Sequence, residues 1–257
     1  MKKLSLLAAV CLVFSVLFGT ARAEEKVFKV GFNPDLAPFA FRKGNDYGGM
    51  DLDMAREVAK RNGWKLELIP IKWGEKQQDI DSGKIDCIWS SFTINGREEL
   101  FTWSEPYWEN KQVAVVKKDS PIKTLADLAG KKAVAMAASS VLAALDKGGQ
   151  NEKVGASLNG KVLEVINFSK AFKELDFGTV DVVFADIDAA VSRNAKGEYR
   201  ILDEVVSSEQ YGIGFKKGNT ELRDAVQKTF KELVKDGTAE KICKEYFNGQ
   251  NLITLKP

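Results

Sequence analysis

An arginine, an acid and a pair of serines stand at points in this chain where an α/β sheet presents side chains to a ligand. Arg97 lies in the loop after the apolar run 85–89, and ligands bind at the carboxyl ends of strands in such sheets. Its planar guanidinium can hold a carboxylate through two parallel hydrogen bonds. Asp186 closes the very apolar run 180–185 and offers the opposite charge at another strand end. Ser139 and Ser140 lie between a strand and a helix start, where free backbone N–H groups favour an anion. A cation with N–H groups on one side and an anion on the other suit a small molecule carrying a carboxylate and an ammonium on one carbon. Each residue also has a plain structural reading. Arg97 could pair on the surface with Glu98 or Glu99, Asp186 could cap the next helix, and the serines could be ordinary N-caps.

Other chemistries find little support. The chain contains no histidine, which removes Ser–His and Cys–His nucleophile pairs and the commonest zinc ligand. It has no P-loop, no G-x-G-x-x-G and no metal-ligand cluster, so neither cofactor nor metal is expected. Asp51 and Asp53 are paired carboxylates in form only. Two residues apart at a helix start, they do not aim at one point and read as cap and helix-dipole partners. Asp188 reads as the cap of the helix after Asp186. Lys117-Lys118, Lys216-Lys217, Asp79, Asp81, Lys84 and Asp86 read as solvated helix and turn surface.

These residues need strands and helices in alternation to hold them. Residues 27–32 read as a strand. Leu52, Ala55, Val58 and Ala59 recur at helical spacing and stop at Asn62-Gly63. Trp64, Leu66 and Leu68 alternate with Lys65 and Glu67 as in a strand. A helix over 76–82 leads to the strand 85–89. The same order begins again after 113–117: a short helix boxed by Thr124 and Asp127 and ended by Gly130, a strand at 133–136, a helix from Ser139-Ser140 to Gly148-Gly149, a strand at 162–166, a helix capped by Ser169 through Leu175, and the strand 180–185. Two helices, marked by Leu222, Val226, Phe230 and Leu233 and then by Ile242 and Tyr246, finish the chain. Two β-α-β units of mostly parallel sheet, joined by extended segments near 113–117 and 207–213, predict two lobes with a double connection.

Lys2 and Lys3, the apolar run 4–18 and Ala21-Arg22-Ala23 form a secretion signal over residues 1–23. The run is short for a membrane span, although a retained anchor is the alternative, and Val10 before Cys11 argues against a lipoprotein. Lys2, Lys3 and Arg22 leave with this leader and no acid goes with them. The 38 basic groups then fall to 35 against 36 acidic, a net charge of −1 that points to neither nucleic acid nor anionic lipid. Cys87 and Cys243 remain. An oxidising compartment permits a bond between them, but Cys87 lies in an apolar run and reads as a small core hydrophobe.

At this level of detail the chain resembles the extracytoplasmic substrate-binding proteins of polar amino-acid ABC transporters, the solute-binding proteins of family 3. Five ordered segments carry the likeness: Gly49-Met50-Asp51-Leu52-Asp53-Met54-Ala55, Ser82-Gly83-Lys84-Ile85-Asp86, Thr93-Ile94, Ser104-Glu105-Pro106-Tyr107 and 180–186. The likeness covers nearly the whole mature chain. It departs at Thr93-Ile94-Asn95-Gly96-Arg97, one residue shorter than usual, at Ala138-Ser139-Ser140, where the first position is usually glycine, and at Asn33, where many relatives have an aspartate.

The resemblance implies a two-lobed type II periplasmic-binding-protein (Venus-flytrap) α/β fold. Each lobe is a mixed, mostly parallel sheet flanked by helices, and two hinge strands join them. Lobe 1 would comprise 24–115 and 209–257, and lobe 2 would comprise 116–208. A free amino acid would be captured between them and delivered to an inner-membrane permease by a periplasmic monomer. Arg97 would take the carboxylate, Asp186 the ammonium, and Ser91, Thr93, Ser139 and Ser140 would bind the ligand's ends. Leu36 and Trp73 would sandwich its stem, and Asn33 would meet its far end. Asn33 is neutral, so a polar or uncharged amino acid, cystine-like ligands included, is expected over a basic one. The competing readings are a cyclohexadienyl-type dehydratase on the same fold, which needs a carboxylic acid poised in the cleft, and the ligand-sensing subunit of a receptor.

Overall fold

The computed structural model describes residues 26–257; the expected leader over 1–23 lies outside them. The chain begins with β1 (Val27–Phe32). An antiparallel meander of β2 (Asp35–Leu36), β3 (Ala40–Lys43) and β4 (Asp46–Gly48) follows, then α1 (Met50–Asn62), β5 (Lys65–Pro70), α2 (Lys76–Asp81) and β6 (Cys87–Thr93). The short β7 (Thr102–Trp103) precedes the long β8 (Trp108–Lys117). A second unit then forms from β9 (Ala133–Met136), α3 (Ser140–Leu145), α4 (Glu152–Ser157), β10 (Leu163–Val165), α5 (Phe168–Asp176), β11 (Val182–Asp186) and α6 (Ile187–Arg193). The chain returns through β12 (Tyr199–Phe215) and ends in α7 (Thr220–Lys235) and α8 (Thr238–Tyr246).

One sheet runs through the molecule in the order β10-β9-β11-β8-β12-β6-β1-β5, with β7 on β12. At one end β1 pairs in parallel with β5 and β6; at the other β9 pairs in parallel with β10 and β11. Between these two parallel halves lie β8 and β12, antiparallel partners from Trp108↔Tyr211 to Lys117↔Tyr199. Their pairing slips between Ile201 and Val205 and again between Val205 and Ser207. The two extended segments expected from sequence are therefore pieces of one longer ribbon. The two-lobed α/β architecture follows from this order, each parallel half carrying its own helices.

Among the described residues, three large apolar clusters and a small one of Phe32, Ala40 and Leu52 hold the layers together. Val30, Met54, Val58, Trp89, Val226, Phe230 and Leu233 pack beneath α1, α7 and α8. Leu36, Trp73 and Phe92 share a second cluster with Met136, Val165 and Phe168, so this cluster spans both lobes. Val116, Leu128, Ala135, Val141, Phe184 and Leu202 fill the second lobe. Each large side chain buried in this way stabilises the fold by about 1.5–3 kcal/mol. Cys87 and Cys243 are both free and buried, each a member of the first cluster.

Two local expectations are corrected. The N-cap of α1 is Gly49, not Asp51. Gly49 has φ 128°, and a Cβ there would lie 2.1 Å from the Phe39 carbonyl oxygen, which leaves no room for a side-chain cap. Asp51 is instead fully buried and turns inward. The cap of α5 is Asn167, whose Oδ1 accepts from the Lys170 N–H at 2.9 Å, while Ser169 lies inside the helix. Asn at this position satisfies an orphan N–H as serine would, and Ser169 is left for a contact described below.

Candidate functional site

The site forms where the carboxyl ends of β6, β9 and β11 meet the polar face of the β8–β12 ribbon. Arg97 hangs from the turn after β6, its N–H donating to the Ile94 carbonyl at 2.8 Å and its carbonyl accepting from Trp103 Nε1 at 3.1 Å. The guanidinium lies over Phe92, 5.4 Å from the ring centre. Nη1 donates to the Thr93 carbonyl at 3.1 Å, and Nη2 crosses to the Ala138 carbonyl at 3.2 Å. Burial pulls its pKa down, opposed by the negative charges of Glu209, Asp186 and Glu98.

Asp186 ends β11 and occupies the N-cap position of α6 without making a side-chain cap bond. Its Oδ1 accepts from Gln112 Nε2 at 2.6 Å and from Asn110 Nδ2 and Tyr211 Oη, each at 2.8 Å. Burial, then the neighbouring Glu209, holds its carboxyl above the usual carboxylate range. Asp188 is not the cap expected from sequence: its Oδ2 accepts from Trp108 Nε1 at 3.0 Å, and burial raises it to about 6.

Thr93 Oγ1 donates to Glu209 Oε2 at 3.0 Å and lies 3.4 Å from Ser140 Oγ, which also accepts from Gln112 Nε2 at 3.3 Å. The Ser139 hydroxyl donates to the Met136 carbonyl at 2.6 Å. Asn33 Oδ1 accepts from the Asp35 N–H at 3.0 Å, and its Nδ2 reaches Met136 Sδ at 3.4 Å. Trp73 packs edge-on to Phe92 at 5.3 Å, which links it through that ring to Arg97. Leu36 joins the others only through the apolar cluster it shares with Trp73 and Phe92. Arg97, Thr93, Ser140 and Asp186 thus form one polar network, Trp73 and Leu36 its apolar floor, and Asn33 its border with Met136.

Ser91 stands apart in a telling way. It has φ 47°, and Ala138 has φ 56°; both are non-glycine residues in a conformation that costs an L side chain about 1 kcal/mol or more. The Ser91 N–H donates to Asp51 Oδ2 at 2.7 Å, and the Tyr107 hydroxyl donates to the same carboxylate at 3.0 Å. Burial raises Asp51 to about 7, the two donors opposing it. Ser91 Oγ is buried and has no partner. The buried acid holds a strained residue within β6, and the hydroxyl of that residue is left free to bond elsewhere.

Several residues here have no counterpart in the sequence reading. Asn110 and Gln112 on β8, and Glu209 and Tyr211 on β12, supply most of the network's bonds. Lys76 of α2 is buried, its Nζ 5.0 Å from the Trp73 ring centre and within 3.5 Å of the Ala138 carbonyl. Burial and then Arg97 bring its pKa down to about 8. Among the described residues no group of three or more His, Cys, Asp or Glu is placed to hold a metal ion, and no helix is long and apolar enough to cross a membrane. A separate open cavity of about 690 Å³ lies between α3, α4 and the strand at Glu164, away from this network.

Residues 28–249 match the bacterial extracellular solute-binding proteins, family 3. The L-cystine-binding protein TcyA of Bacillus subtilis is 28% identical over 230 residues, covering 87% of this chain and 82% of the relative. An ABC uptake transporter substrate-binding protein of Streptococcus pneumoniae, solved with bound histidine, is similar at a TM-score of 0.84 and 27% identity, with 89% and 95% of the two chains covered. An ancestral arginine-binding protein bound to glutamine is similar at a TM-score of 0.78 and 36% identity, with 87% and 99% covered. These relatives share the two-lobed fold and are named for binding, not for catalysis.

Proposed function

The chain belongs to the bacterial extracellular solute-binding proteins, family 3, and we propose that it captures a free α-amino acid between its lobes and delivers it to an ABC transporter permease. One observation carries the reading. Arg97 and Asp186, a cation on one lobe and an acid on the other, enter a single hydrogen-bonded network through Thr93, Ser140 and Gln112. Arg97 takes the carboxylate, Asp186 the ammonium, and Ser91, Thr93, Ser139 and Ser140 supply hydroxyl and backbone groups at the ligand's ends. Leu36 and Trp73 hold the stem, and Asn33 faces its far end. Residues 1–23 are removed on export and the mature monomer works in the periplasm, its lobes comprising 24–115 with 209–257 and 116–208.

The side-chain end is matched to a polar or neutral amino acid, cystine-like ligands included. Asn33 offers a neutral donor and acceptor, and no carboxylate stands in its place to replace the water a cationic side chain would lose. Among the relatives, a cystine binder and a glutamine complex are compatible with that choice. Thermal-shift screening of the mature protein against the twenty amino acids, cystine and simple diamines tests the reading. At a hundred times its dissociation constant the true ligand adds about 2.7 kcal/mol of stability. A screen in which no amino acid moves the transition would overturn the reading.

A further inference from the structure

Glu209 lies on β12, in the hinge ribbon and outside every segment that carries the family likeness. It is 4% exposed, and its Oε2 accepts from Thr93 Oγ1 at 3.0 Å, Asn110 Nδ2 at 3.1 Å and Gln112 Nε2 at 3.2 Å. Asn110 and Gln112 donate to Asp186 Oδ1 as well. Two amides therefore bridge the same two carboxylate oxygens, which can stand no further apart than the bonds of 2.6 and 3.2 Å to Gln112 Nε2 laid end to end. Asn110, 1% exposed, keeps its Oδ1 buried among these groups with no partner. A buried amide oxygen without a donor is costly, so it marks a place where a donor from outside the protein belongs.

We propose that the ammonium subsite is a carboxylate pair: Glu209 is a second anionic contact for the ligand's primary ammonium beside Asp186, and binding expels the proton that Asp186 holds in the empty site. This rests on the amino-acid reading above and deepens it. A primary ammonium brings three N–H donors, and Asp186, Glu209 and Asn110 Oδ1 are three acceptors for them. Burial, then the negative charge of Glu209 beside it, raises Asp186 to about 7, so the empty site holds a proton there near neutral pH. When the ammonium enters, its charge takes the place of the proton on Asp186, which leaves to solvent. The charged and titratable groups facing the pair are Arg97 from the turn after β6, Tyr211 from β12 and Asp188 from α6, with Lys76 and Glu98 acting on it through Arg97. In the empty site Arg97 donates to the Thr93 and Ala138 carbonyls and to neither acid, and in the complex the ligand carboxylate claims it.

The experiment is titration calorimetry of the mature protein with L-glutamine, L-histidine, L-cystine and L-arginine, each in two buffers of different ionisation heat, between pH 6 and 8. The tightest probe should release a measurable fraction of a proton, and its affinity should rise with pH across this range. Glu209→Gln should abolish the release and bind that probe at least tenfold more weakly at pH 8. The N-methyl derivative of the same probe, which has lost one donor, should bind wild type at least tenfold more weakly, and this arm needs no variant to fold. If none of the four probes binds wild type, the amino-acid reading itself fails. If a probe binds with no proton release, and with Glu209→Gln or the N-methyl form within twofold, the carboxylate pair is overturned and the amino-acid reading stands.

Discussion

Asp35 of β2 and Arg193 of α6 meet across the mouth of the cleft, with Oδ1 and Nη2 2.6 Å apart. The same carboxylate accepts from the Ser169 N–H and hydroxyl of α5, both at 2.7 Å. Arg193 also donates to the Asp35 carbonyl at 3.3 Å and lies over Phe172. One acid on the first lobe thus fastens two helices of the second, and both partners of the ion pair are about three-quarters shielded from solvent.

On the proposed reading the lobes part when the ligand leaves, so this contact between them should govern release. Arg193→Gln should raise the ligand dissociation rate several-fold, corresponding to roughly 1 kcal/mol for a partly buried charged pair, and leave the association rate near wild type. Stopped-flow fluorescence from the cleft tryptophan, Trp73, reads both rates. An unchanged dissociation rate would show that the contact does not hold the cleft shut.

Arg97→Ala should weaken amino-acid binding by about 2–5 kcal/mol, because the ligand carboxylate loses its charged partner. The fold should survive, since the guanidinium bonds only to the Thr93 and Ala138 carbonyls, at the cleft. Arg97→Lys should recover little, a single ammonium being unable to form both prongs of a bidentate pair. Calorimetry that finds the alanine variant within twofold of wild type would remove Arg97 from the site.

Stability should depend on pH in the direction opposite to that of ion-paired acids. Asp51 and Asp188 are raised to about 7 and about 6. The folded chain then holds protons that the unfolded chain has released above about pH 4, and stability falls as pH rises where the folded state binds more protons. For Asp51 the shift from 3.8 to about 7 corresponds at most to something on the order of 4 kcal/mol. The unfolding midpoint of the ligand-free protein in urea should therefore drop between pH 5 and pH 8. Asp51→Asn should flatten that slope, since a neutral amide keeps an acceptor for the Ser91 N–H and carries no charge. A steeper slope in the variant would contradict the assignment. Asp127, Glu174 and Asp236, all lowered by hydrogen bonds, act the other way and only in acid.

Selectivity should turn on Asn33. Asn33→Asp retains an acceptor for the Asp35 N–H and places a negative charge at the far end of the site. Arginine and lysine should gain at least tenfold in competition binding relative to glutamine. If wild type already binds arginine or lysine below micromolar levels and no neutral amino acid competes, the argument from Asn33's neutrality is wrong.

The sequence made most of the strands and helices legible, but not the ribbon that lines the candidate site. Residues 108–112 alternate buried and exposed as a strand should, yet the buried positions are Trp108, Asn110 and Gln112. Ser207, Glu209 and Tyr211 do the same on β12. Strand signals read apolar alternation, and here Trp108 and Tyr211 join the first apolar cluster while Asn110, Gln112, Ser207 and Glu209 on the same faces are polar and buried. Local consistency fails where function sets the residues. Asp51 escaped for a related reason: at a helix start an acid looks like a cap, and only the fold shows Ser91 and Tyr107 waiting beneath it. The β2–β4 meander was unreadable because its strands are two to four residues long, too short for any period to register.

The β8–β12 ribbon also bears on how such a chain can be cut and rejoined. Lys117, where the chain departs, and Tyr199, where it comes back, are partners on the same rung of the ladder. Everything from 118 to 198 is thus, topologically, an elaborate hairpin loop, with its two ends one strand spacing apart, about 4.8 Å. A foreign domain whose termini lie side by side could be spliced in at that rung without disturbing the order of the strands beyond it.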